Sequence, residues 1–119
     1  MQEKRISVRT DLLGLEAQVS LDGEEWIQII AKDISDGGLA FTAEENFPTG
    51  AQLYLKGSVS DFAHFADISC NVKVMFCGTT PEGEPLYGIK FLDLDRGKRT
   101  TLSIFIERMV TRYPRLLMD

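Results

Sequence analysis

At 119 residues, 44% of them hydrophobic, the chain is long enough for one buried core and too short for two. No apolar run approaches the roughly 18–20 residues that cross a bilayer, and residues 1–10 are polar and basic, without the apolar stretch of a secretory signal. Two cysteines, Cys70 and Cys77, imply no disulfide framework and fit a reducing cytoplasm.

The net charge of −5 is unevenly spread. Positions 10–95 hold four Lys/Arg (Lys32, Lys56, Lys73, Lys90) against fifteen Asp/Glu, and the other nine basic residues lie in the flanks. An acidic middle repels a long polyanion, so neither duplex DNA nor structured RNA is an expected partner. A compact, doubly charged ligand held by a few arginines remains compatible.

In chain order, residues 1–14 read as a flexible arm with few apolar positions and no sustained period. Residues 15–22 alternate: Leu15, Ala17, Val19 and Leu21 fall on one face and Glu16, Gln18, Ser20 and Asp22 on the other, which predicts a half-buried strand. Asp22-Gly23 is a hairpin signal into a second strand over 26–34. The doublet Ile29-Ile30 breaks its alternation, as a bulge would.

Asp36-Gly37-Gly38 turns the chain into a third strand over 39–43, and a fourth follows over 52–56. In the fifth, Ile68, Cys70, Val72, Val74 and Phe76 face one way and Met75 and Cys77 the other. The sixth has Tyr87, Ile89 and Phe91 on its inner face. From about 95 to 113 the period becomes helical, with Leu102, Phe105, Ile106, Met109 and Tyr113 on one stripe before Pro114. The expected class is mainly β: a six-stranded antiparallel barrel over 15–119, closed or flanked by the C-terminal helix.

Catalytic constellations are lacking. The one histidine, His64, sits in a loop without a nucleophile motif, and no enzyme activity is expected. If the fifth strand is regular, Cys70 and Cys77 point to opposite faces about 23 Å apart, so they share neither a metal nor a disulfide. No metal or cofactor is expected. The glycines at 37–38 match no phosphate-binding fingerprint that opens a helix.

Two short patterns stand out. Arg5-Ile6-Ser7-Val8-Arg9 places two arginines four apart, and Asp33-Ile34-Ser35-Asp36-Gly37-Gly38 follows some two dozen residues later. Each is weak alone, since Asp, Ser and Gly also make ordinary tight turns. In this order and spacing they resemble the signature of PilZ domains, RxxxR followed by D/NxSxxG, which Arg5, Arg9, Asp33, Ser35 and Gly38 match at every required position. Gly38-Leu39-Ala40-Phe41 and Tyr87-Gly88-Ile89-Lys90-Phe91 resemble family strands too, so the likeness covers nearly the whole chain.

That resemblance implies a receptor for the bacterial second messenger cyclic di-GMP, with Arg5, Arg9, Asp33, Ser35 and Gly38 as ligand-binding residues and Lys4 and Gly37 beside them. The residue types suit such a ligand. An arginine fork can read guanine N7 and O6, clamp a phosphate or stack on a purine. On an extended arm, Arg5 and Arg9 would stand on one side about 13 Å apart. Asp33 could accept from guanine N1–H and N2–H, Ser35 offers a hydroxyl, and Gly38 allows close backbone approach. The resemblance further implies an arm that orders on binding and a downstream protein partner reached in trans. A ligand-independent interaction module of the same fold is the alternative. Ile104 and Val110, off the helical stripe, leave apolar surface for a partner or a second copy, as in a homodimer.

Overall fold

The alternating apolar positions of the sequence build one antiparallel sheet wrapped around a single core. The computed structural model describes residues 7–9, 14–60, 64–112 and 117–118. Among these, the strands are β1 (Ser7–Arg9), β2 (Gly14–Ser20), β3 (Ile27–Gln28), β4 (Ile30–Ser35), β5 (Gly38–Thr42), β6 (Gln52–Ser60), β7 (Phe65–Asp67), β8 (Cys70–Thr79), β9 (Pro85–Phe91) and β10 (Leu117–Met118). The one helix among the described residues, α1, spans Arg96–Arg112 and follows β9. Along the sheet the order is β10-β1-β4-β5-β9-β8-β6-β2-β3, with β7 paired to β6.

The mainly-β class with a terminal helix therefore holds, with two differences from the expected six-stranded barrel. First, the six predicted strands are joined by β1, β7 and β10, and the second divides into β3 and β4. Second, the hydrogen-bonded path does not close, so the wrapped sheet approximates a barrel. The division falls at Ile29: β3 pairs with β2, β4 pairs with β5 and β1, and Ile29 N–H donates to the Ala17 carbonyl at 3.2 Å. One stretch of chain thus turns a corner between the two ends of the sheet. Ile29 is buried and Ile30 is 61% exposed, while the register shift itself lies between Ala31 and Asp33. Residues 7–9, within the segment read as an arm, form β1.

Phe41, Phe47 and Tyr87 pack as a triad, with ring centroids 5.2–6.1 Å apart. The Tyr87 hydroxyl donates to the Glu45 carbonyl at 2.8 Å and accepts from Phe47 N–H at 3.3 Å, which pins the loop after β5 against the core. Each fully buried side chain of this kind contributes about 1.5–3 kcal/mol by leaving water. In α1, Leu102, Phe105, Ile106 and Met109 are buried as their spacing predicts, and Ile104 is exposed. Tyr113 lies outside the described residues. Asp95 caps the helix: its side chain accepts from Gly97 N–H at 3.2 Å, and its carbonyl accepts from Arg99 N–H at 2.8 Å. Leu21, expected on the inner face, is 60% exposed because β2 ends at Ser20 and Leu21 belongs to the loop.

A second bulge lies between Val74 and Phe76 in β8, where Met75 is the unpaired residue against β9. An extra residue reverses the facing of everything that follows it. Phe76, expected in the core, is consequently half exposed on the outer face, opposite Gly88. Cys77 swings the other way and pairs opposite the buried Tyr87. By register it therefore falls in phase with Cys70, contrary to the opposite-face expectation for a regular strand, although at this end of β8 it is exposed.

Candidate ligand-binding site

The sequence at 33–38 folds into the end of β4 and the turn to β5. Ile34 points into the core, leaving its neighbours Asp33 and Ser35 half-buried on the outer face. The Ser35 hydroxyl donates to the Gly38 carbonyl and accepts from Gly37 N–H, both at 3.3 Å. A serine is needed here because its short hydroxyl closes the turn on itself. Gly37 also anchors the next strand, its carbonyl accepting from Phe91 N–H at 2.9 Å.

Gly38 is demanded by contact rather than by an unusual dihedral. Positive φ occurs among described residues at Gly23, Gly50 and Gly83, and not at Gly37 or Gly38. A Cβ on Gly38 would run into the backbone carbonyl of Ile89 in β9. The glycine lets β5 and β9 approach, with Gly38 opposite Lys90 and Ala40 opposite Gly88.

These small residues floor an open depression of about 470 Å³. Asp33 and Ser35 form one wall on β4, and Met75 and Phe76 form the other on β8, with Lys90 at the rim. Gly88 is part of the same construction: a Cβ there would coincide with the Phe76 ring, so the ring lies directly over the glycine. The result is a face with a carboxylate, a lysine ammonium and an accessible aromatic plane around a backbone floor. Such a set can accept hydrogen bonds, attract an anionic group and stack a planar ring.

Strand β1 borders this face. Its register with β4 places Ser7 opposite Ser35, Val8 opposite Ile34 and Arg9 opposite Asp33. Of the residues expected to bind ligand, Asp33, Ser35, Gly37 and Gly38 lie at one turn, and Arg9 lies on the adjacent strand. Lys4 and Arg5 lie outside the described residues. Phe76, Gly88 and Lys90 also line the depression and were not among the residues expected to bind ligand. The tract Tyr87-Gly88-Ile89-Lys90-Phe91 was the available signal for two of them, but Phe76 reaches the face only through the β8 bulge, which alternation conceals.

Elsewhere the described residues offer little chemistry. No group of three or more His, Cys, Asp or Glu is placed to hold a metal ion among them. Burial, reinforced by the nearby Asp93 carboxylate, pushes the Cys70 thiol up to about 11, which keeps it protonated and unreactive. No helix among the described residues is long and apolar enough to cross a membrane.

A family model for the PilZ domain matches residues 3–108. The chain belongs to the PilZ domain family. No curated protein matches this PilZ chain in sequence. Solved structures do resemble it in fold. The Bacillus subtilis inhibitor of motility, MotI/DgrA, aligns with a TM-score of 0.79 and 22% identity over 95% of this chain and 54% of its own. YcgR from Escherichia coli, in complex with c-di-GMP, aligns at 0.75 and 11% over 97% of this chain and 49% of its own. The PilZ domain of YcgR with c-di-GMP aligns at 0.67 and 12%, covering 97% and 96%. This PilZ chain thus spans about half the length of MotI/DgrA and of YcgR.

Proposed function

We propose that this PilZ domain is a receptor for cyclic di-GMP, bound across the face formed by β1, β4, β5, β9 and the bulged part of β8. The observation that carries the reading is the depression in which Asp33, Ser35 and Gly38 meet Lys90 and Phe76. The register that sets Arg9 opposite Asp33 adds to it. Support also comes from membership of the PilZ family and from the c-di-GMP held by the PilZ domain of YcgR.

In this reading Asp33 accepts from the Watson–Crick edge of one guanine, and Arg9 offers its fork to a guanine edge or a phosphate. Cross-strand neighbours share a face of the ladder, so both groups serve one ligand. Arg5, two residues before β1, supplies the second guanidinium, with Lys4 adding charge. Phe76 provides a plane for a base, Lys90 balances phosphate charge, and Ser35 and Gly38 shape the floor. Binding involves no bond-making on the ligand.

The segment before β1 orders over the ligand at a cost of about 1–2 kcal/mol per residue. Charge-assisted hydrogen bonds of about 1.5–3 kcal/mol each offset that cost. The ordered surface is what a protein partner reads in trans. Calorimetric titration of cyclic di-GMP into the purified chain tests the reading, with Arg9→Ala and a cyclic di-AMP control. Micromolar or tighter binding, lost in the variant and absent for the adenine analogue, is expected. Absence of heat from folded protein at high ligand concentration would sink the receptor assignment.

A further inference from the structure

We infer that β10, the strand that follows the helix, is a positioning element of the ligand site: it holds the arginine-bearing strand β1 in register with β4. The ligand part of this inference rests on the receptor reading above, whereas the geometry stands by itself. β1 is three residues long and is paired on both edges. On one edge Ser7, Val8 and Arg9 face Ser35, Ile34 and Asp33. On the other, Ser7 and Val8 face Met118 and Leu117 of β10. The helix α1 also lies against β1, so β4, α1 and β10 converge on this one short strand.

Short edge strands are where native sheets fray first, because few hydrogen bonds oppose the entropy of release. A second paired neighbour engages backbone groups of β1 that β4 cannot reach. Position 9 stands opposite Asp33 only while β1 is docked. A site whose competent state is partly populated binds with affinity reduced by that fraction. β10 therefore tunes ligand affinity through the register of β1, although it lies two strands away from Asp33 in the order β10-β1-β4.

The test uses the full chain, a deletion of residues 114–119, Leu117→Pro and Leu117→Ala. Proline removes a backbone donor from β10, while alanine leaves the backbone able to pair, which separates pairing from side-chain packing. Hydrogen exchange without ligand is the first readout. Peptides covering residues 7–9 are expected to exchange about tenfold faster in the deletion and proline variants, with β5 and β9 unchanged. Cyclic di-GMP affinity is the second, expected to fall about tenfold in those two variants and to hold in Leu117→Ala. Unchanged protection at 7–9 in a folded variant overturns the inference, as does lost protection with affinity equal to or tighter than that of the parent chain. Should the deletion not fold, Leu117→Pro carries both readouts. If the unaltered chain binds no ligand, the receptor reading fails by itself, and the exchange readout still decides whether β10 holds β1.

Discussion

Arg9 in β1 stands directly across an antiparallel ladder from Asp33 in β4. The two residues are far apart in sequence, and each comes from a different short motif. The pairing brings an arginine position and an aspartate position, one from each motif, to neighbouring places on adjacent strands.

Replacement of Arg9 by alanine is expected to weaken cyclic di-GMP binding about a hundredfold, corresponding to loss of one or two charge-assisted hydrogen bonds. Arg9→Lys should recover little of this, because an ammonium lacks the planar fork. Calorimetry on the three proteins checks it; full recovery by lysine would show that charge alone matters.

Gly38→Ala is expected to lower stability by about 2–4 kcal/mol, because the new methyl must displace the Ile89 carbonyl and part β5 from β9. Denaturant titration provides the measurement. A variant as stable as the parent would mean that the two strands separate without cost at this point. Ser35→Ala should cost less, about 1 kcal/mol, since the turn loses two long hydrogen bonds.

Phe76→Ala separates binding from folding. The ring is half exposed, so its loss should change stability little. A base stacked on it contributes about 1–3 kcal/mol, so affinity should fall by roughly ten- to hundredfold. Equal affinity in the two proteins would remove Phe76 from the site.

The contact between β7 and α1 gives stability a dependence on pH. Burial raises the Asp67 carboxyl, but hydrogen bonds from Ser69 and the Lys98 ammonium, 3.2 Å away, outweigh it and leave the group below its ordinary 3.8. A depressed carboxylate adds stability above its unfolded pKa and loses it as pH falls through the lower folded value. Stability measured from about pH 5 down to 2 should decline in the parent chain, and less steeply in Asp67→Asn. Because both partners are substantially exposed, the difference should be small and should shrink in salt.

Much of the fold was legible because alternation and helical spacing are local consequences of burying one face. Ala17, Val19, Val72, Val74, Ile89 and the α1 stripe are buried where their periods place them. Alternation announced one change of phase and concealed another. The doublet Ile29-Ile30 marks where β3 gives way to β4, whereas the regular run through Met75 hides the extra residue of the β8 bulge.

The sequence by itself determined the family, the mainly-β class with its terminal helix and the motif residues, because RxxxR, DxSxxG and hydrophobic periodicity are local patterns. Only the tertiary structure decided that Arg9 meets Asp33, that Phe76 faces outward beside Lys90, and that Leu117 and Met118 return to pair with β1. Those relations depend on strand order and on bulges. They are set by how the whole sheet satisfies its backbone hydrogen bonds, a condition no short stretch of residues can express.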